Sequence, residues 1–142
     1  MLNLPSKVEG SAGSGNAGLT LNYGYLSDGT KTSSVTNQGE GLKYRGSFVY
    51  EVSGSTERLS SVAWNEGRTE YDYSVDFPNP EIKDLWYIPD HLGNTRTVVL
   101  MDWNGGTILE QNEYLPLGTR ISGSIQAADN RYRFAGKEEQ RL

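Results

Sequence analysis

The chain contains no cysteine. That excludes a disulfide framework and any thiolate metal site, and it leaves the redox compartment open. His91 is the only histidine. With Asp90 it could form an acid/base pair or half of a metal site, but metal sites usually need three or four ligands. No further ligand stands at helical or hairpin spacing around it, so it reads as a structural turn histidine. A Ser–His–Asp triad would need His91 as its base, and nothing marks a nucleophile elbow or an oxyanion loop. Long apolar runs are also missing. None has the length of a transmembrane helix, and the start Met1-Leu2-Asn3-Leu4-Pro5 is too short an apolar run for a signal peptide. No run of Lys and Arg exceeds two residues and the net charge is −5, which speaks against nucleic acid as a partner. The glycines between Gly10 and Gly18 lack the Lys-Ser/Thr ending of a phosphate-binding loop, so that stretch reads as a flexible connector. No cofactor is expected.

What the chain does hold is glycine and tyrosine. Its 142 residues fit one domain with a core of useful size. Hydrophobic content is only 35%, yet aromatics reach 11% and include nine Tyr. Tyrosine combines apolar area with a polar tip, which suits thin sheets wetted on one side. The 17 glycines call for many turns. Together these features predict an extended all-β object.

Residues 1–18 read as a flexible Gly/Ser-rich lead-in, with pairing at a sheet edge as the alternative. Leu19, Leu21, Tyr23 and Tyr25 then alternate with Thr20, Asn22 and Gly24, the period of a half-buried strand. Ser27-Asp28-Gly29-Thr30 makes a hairpin turn, and Lys31 to Thr36 returns. Leu42, Tyr44, Phe48, Tyr50 and Val52 are expected on one face, with Lys43, Arg45, Ser47 and Glu51 on the other. Ser53 to Thr56 turns the chain, Leu59 to Trp64 comes back, and Asn65-Glu66-Gly67-Arg68 turns again. Thr69 to Val75 is a third strand carrying Tyr71, Tyr73 and Val75 on one face, and the prolines between Asp76 and Pro80 make a bend. Further strands are predicted over Thr107–Tyr114, Arg120–Ile125 and the short Tyr132-Arg133-Phe134 segment ending at Gly136. Gln126 to Asn130 reads as a helical turn or a loop. A strand, Gly turn and strand recur at a spacing of roughly twenty residues. The expected fold is therefore all-β, with antiparallel β-hairpin repeats forming a twisted, open sheet along a continuous aromatic stripe.

The chain is organised around Tyr87 to Val99. An apolar strand enters through Leu85 to Ile88, a polar turn closes on Gly93, and Thr95 to Met101 leaves as a β-branched strand. Pro89 fits a strand end because it cannot donate to a ladder. Asp90 and Asn94 can hold the turn through side-chain bonds to nearby backbone.

These residues also carry a resemblance. Asp90-His91-Leu92-Gly93-Asn94-Thr95-Arg96 resembles the D-H-L-G-x-x-R signature of the RHS repeat-associated core, in the YD-repeat (RHS/teneurin-like) superfamily. Glu113-Tyr114-Leu115-Pro116-Leu117-Gly118 is similar to that family's Y-x-P-F-G, with Leu117 in place of Phe. Asn130 to Glu138 resembles its N-x-Y-x-F-T-G-K-E, with Ala135 in place of Thr. Tyr23 to Lys31 looks like one YD repeat. The resemblance implies YD-like hairpin repeats over residues 19–80, a core-like segment over 81–138 and a frayed tail at 139–142. It also implies a partial RHS-type shell, normally exported or surface-exposed, that encloses or displays a C-terminal toxin or effector domain. The implied partners are the parent chain's own repeats and that effector domain. Open edges add an expected homo-oligomer. The structural motif residues would be Asp90, His91, Leu92, Gly93, Arg96, Tyr114, Pro116, Gly118, Tyr132, Phe134 and Gly136, with Arg96 bonded to a carboxylate or carbonyl of a neighbouring strand. Self-cleavage in that family uses a downstream D-P-x-G-L segment, so none is expected of this chain by itself.

Two other functions compete. A secreted carbohydrate- or protein-binding β module would use aromatic platforms. Trp64 and Trp86 are expected to pack, whereas Trp103 sits in the turn Asp102-Trp103-Asn104-Gly105 and could contact a ligand. A hydrolase would use paired carboxylates drawn from Glu66, Glu70, Asp72, Asp76, Glu110 and Glu113. Glu70 with Asp72, and Glu110 with Asn112, each share a strand face that is expected to be solvated. The reading adopted is a structural module without chemistry of its own.

Overall fold

The computed structural model describes residues 4–10, 18–74, 78–114 and 121. Among them there are ten strands and no helix. In chain order they are β1 (Lys7–Glu9), β2 (Thr20–Tyr25), β3 (Lys31–Thr36), β4 (Glu40–Arg45), β5 (Phe48–Ser53), β6 (Thr56–Trp64), β7 (Gly67–Asp72), β8 (Glu81–Pro89), β9 (Thr95–Asp102) and β10 (Gly105–Gln111). They belong to two compact units, one up to Ala63 and one from Trp64 onward. Within each unit the strands lie side by side in chain order and neighbours run antiparallel. Neither sheet closes on itself. The all-β, open sheet of antiparallel hairpins expected from the sequence is borne out. Within the lead-in, Lys7–Glu9 pairs with β2, placing Val8 opposite Leu21. The expected features at Val75, Asp76, Pro116, Gly118, Arg120–Ile125, Gln126–Asn130, Tyr132, Phe134, Gly136 and 139–142 lie outside the described residues, Ile121 apart.

In the first unit, local turn chemistry fixes the hairpins. Asp28 Oδ1 accepts from the Thr30 amide at 2.8 Å, and the Gly29 amide donates to Leu26 O at 3.0 Å. The turn therefore sits where the Asp-Gly pair predicts it. Antiparallel partners share a face, so the register assigns each side chain. Leu21, Tyr23, Ser34, Leu42, Tyr44, Val49 and Ser61 lie on one face. Lys43, Arg45, Phe48, Tyr50, Val52 and Glu57 lie on the other.

This corrects the expected grouping around Gly46. The turn between β4 and β5 contains only Gly46 and Ser47, and Arg45 pairs with Phe48. A two-residue turn sets Phe48, Tyr50 and Val52 on the face of Lys43 and Arg45, away from Leu42 and Tyr44. The mixed face is held by charge. Glu57 accepts Lys43 Nζ at 2.9 Å and Arg45 Nη2 at 2.6 Å, and the Arg45 guanidinium lies 4.6 Å from the Tyr50 ring centre. Arg45 is more than half exposed, so these pairs guide register more than they stabilise.

The buried apolar residues are aliphatic. They are Leu21, Val49 and Val52 in the first unit, and Leu85 and Val98 in the second. No aromatic among the described residues is buried; all are half-buried or exposed. The aromatic stripe expected to form the packing is thus only half-buried or exposed, and cations stand over some of its rings. Lys31 Nζ stands 4.8 Å from the Tyr44 ring centre and 5.9 Å from that of Tyr23. Each buried aliphatic contributes about 1.5–3 kcal/mol, a thin core that leaves much of the stability to ladder pairing.

In the second unit, Gly67 opens β7 opposite Trp86. Its backbone lies against the carbonyl oxygen of Leu85, and a Cβ there would also meet the Trp64 ring at 2.9 Å. The carbonyl belongs to the ladder and cannot move aside. Trp64 in turn meets Trp86 edge-on, with ring centres 4.7 Å apart. Gly67→Ala is therefore expected to destabilise the fold by about 2–3 kcal/mol. Equilibrium denaturation measures this, and an unchanged midpoint would refute the close approach.

Candidate functional site

The β8–β9 turn is built on one carboxylate. Asp90 Oδ1 accepts from the Leu92 amide at 2.9 Å and the Asn94 amide at 3.0 Å. Its Oδ2 accepts from Asn94 Nδ2 at 3.0 Å and Arg96 Nε at 2.9 Å. The backbone closes the same loop, because the Asp90 amide donates to Asn94 O and the Gly93 amide to Asp90 O. Gly93 sits at φ +79°, a left-handed conformation that side chains resist. No atom stands within 4 Å of a Cβ built there, so the requirement for glycine is conformational.

Four donors on one carboxylate stabilise its charged form. The Asn94 side chain and amide lead, with the Leu92 amide and Arg96 adding to them, and together they hold Asp90 well below the usual carboxylate range. The Asp90 side chain is 13% exposed. Its lone pairs are occupied by protein donors. A carboxyl in that state has no proton to give near neutral pH, so it cannot serve as a general acid. The sequence leads one to expect a partner for Arg96 on a neighbouring strand; its Nε donates instead to the Asp90 carboxylate of its own turn.

Arg96 carries the contact onward. Its guanidinium lies 5.5 Å from the Tyr114 ring centre. The Tyr114 hydroxyl donates to Thr95 O at 3.1 Å, and Asn112 Nδ2 approaches the same oxygen at 3.3 Å. The Asn112 amide donates to Arg96 O at 2.8 Å. Two motifs separated in sequence, Asp90–Arg96 and the start of Glu113–Gly118, thus meet in one hydrogen-bonded cluster. His91, Leu92 and Gly93 are exposed at the turn tip. Pro116 and Gly118, with Tyr132, Phe134 and Gly136, lie outside the described residues.

Glu110 and Asn112 overturn the expectation of a solvated face. Both are buried, and Glu110 completely so. A β-bulge between Ile108 and Glu110 is the cause. Ile108 pairs with Val99, and regular pairing would set Leu109 opposite the buried Val98. The extra residue sets Glu110 there instead. Asn112 Nδ2 donates to Glu110 Oε1 at 2.6 Å. The one sequence signal available was the Glu-x-Asn spacing, which places an amide beside a carboxylate on a shared strand face. Arg68, read as a turn residue, is likewise buried and donates to Glu70 at 3.3 Å.

Among the described residues, none of the other candidate carboxylates is arranged as a catalytic acid would be. Asp72 accepts from the Ser74 hydroxyl at 2.6 Å, the Ser74 amide at 2.9 Å and Lys83 Nζ at 3.0 Å. Those bonds hold its carboxyl far below the usual range, Ser74 first. This is the reverse of the raised pKa a catalytic acid needs. Glu66 and Glu113 are exposed. No group of three or more potential metal-ligating side chains occurs among the described residues, and no helix there is long and apolar enough to cross a membrane. Trp103 is fully exposed at its turn, as its position suggested. Comparison of the chain with protein-family models, with curated proteins and with solved structures returns no match.

Two outcomes test this cluster. Gly93→Val is expected to lower stability by about 1–3 kcal/mol through backbone strain, with Gly93→Asn milder; a full-strength Gly93→Val protein in thermal melts would sink the turn assignment. Asp90→Asn exchanges an acceptor for a donor that faces Arg96. A carboxyl with a depressed folded pKa stabilises above its unfolded value of about 3.9 and loses that contribution as pH falls through the folded value. The variant should therefore lag the native protein at pH 7 and approach it in acid. Parallel pH–stability curves would show that the Asp90 charge contributes nothing.

Proposed function

We propose that the chain is a structural β-repeat module similar to the RHS core, forming part of a shell wall that encloses or displays a C-terminal effector domain. The observation that carries this reading is where the motif residues direct their polar groups. Asn94 and Arg96 both donate to Asp90, and Arg96 and Thr95 contact Tyr114 of the next motif. Such a cluster supports the reading because it fixes register between β8, β9 and the segment after β10. On this reading the partners are neighbouring repeats of a parent chain and the effector domain, and the setting is secreted or cell-surface.

A carbohydrate- or protein-binding module is the second reading, and the fully exposed Trp103 is what favours it. An indole standing free at a turn can stack on a sugar face. A glycan array followed by titration calorimetry separates the two. The structural reading expects no saturable binding. Saturable binding that Trp103→Ala abolishes would replace it with the binding module.

A further inference from the structure

We infer that one face of the second unit's sheet is the seat for a second copy of this chain, packed face to face. The register places Ile82, Trp86 and Ile88 of β8, Val99 and Met101 of β9, and Ile108 of β10 on a common face. The opposite face holds the buried Leu85, Val98 and Glu110. On the common face, Ile82, Trp86, Ile88, Met101 and Ile108 are each between 42% and 61% exposed. Such exposure is uncommon when several large apolar side chains adjoin, and it marks an interaction surface.

Area and charge narrow the occupant. The five side chains expose on the order of 500 Å², and half-buried neighbours such as Val99 and Tyr71 extend the patch toward the roughly 800 Å² per partner of a stable complex. The single acidic group on the paired strands of this face is Asp84, and Thr69 donates to it at 2.6 Å. No Lys or Arg of those strands shares the face. A surface without cations gives an anionic partner nothing to pair with, and one acidic group gives a basic partner little. What fits is another nearly uncharged, pleated apolar surface, and a second copy supplies one of matching size. Sheets stack in this way about 10 Å apart with interleaved side chains. A two-fold axis makes the contact self-complementary. The contact uses the sheet's face and leaves its edge hydrogen bonds free, and it does not depend on the chain belonging to a shell wall.

Light scattering on the full chain across a range of concentrations tests this. The expected result is a species of twice the 15.7 kDa monomer mass. Ile82→Lys and Ile108→Lys each place a charge in the contact. Each should raise the dimer dissociation constant by at least about 100-fold, with an unchanged circular dichroism spectrum. Two different strands are used, so the failure of one variant to fold leaves the other to decide. A native chain that stays monomeric at every concentration would overturn the inference and assign the face to a different partner. A dimer that survives both substitutions would overturn it too, and would place the contact at the sheet edges.

Discussion

In a single-layer sheet, the number of residues between two strands decides which way every later side chain points. Antiparallel partners share a face, so a turn of two residues and a turn of three send the returning strand's pattern to opposite sides. The consequence is visible at Gly46-Ser47, where Arg45 opposite Phe48 brings an aromatic strand onto the charged face. The Lys43, Arg45 and Glu57 ion pairs and the Tyr50 ring then assemble on that face. The bulge in β10 follows the same rule in miniature. One extra residue between Ile108 and Glu110 exchanges a leucine for a glutamate opposite Val98.

That exchange explains why the second unit holds a polar cluster inside. A buried carboxylate is tolerated when donors surround it, and the Asn112 amide meets Glu110 directly. Asn112 also reaches Thr95 O, on the strand that leaves the Asp90 turn. The turn and the buried cluster are therefore parts of one network, with Arg96 and Tyr114 bridging them. Networks of this kind discriminate against alternative registers, because a shift of one residue would strand several buried groups at once.

Features set by neighbours in sequence were legible in advance. Asp28-Gly29 and Asp90 to Gly93 fold as their side-chain chemistry directs, and the returning strand Lys31–Thr36 has the bounds its pattern indicated. Features set by pairing were not. The face of Phe48 depends on a turn length whose effect appears only once Arg45 finds its partner. The burial of Glu110 depends on a bulge that alternation cannot show. Period-two alternation puts most aromatics on the face a sheet must bury, yet aliphatics such as Val98 and Val52 fill the interior while several rings meet cations and water. A thin sheet has little depth for an indole or a phenol, whose polar edges also prefer solvent.

The chain-order arrangement of strands has a kinetic meaning. Within each unit a strand meets only the strands before and after it in sequence, so every loop that must close is short and its closure entropy is small. All-β proteins are slow to fold when distant segments must find one another. This meander has no such search within a unit. Any hairpin can form first and add its neighbours one at a time, as stacked repeats do. Growth at a ribosome's exit could then keep pace with synthesis, each new strand docking on the one before it.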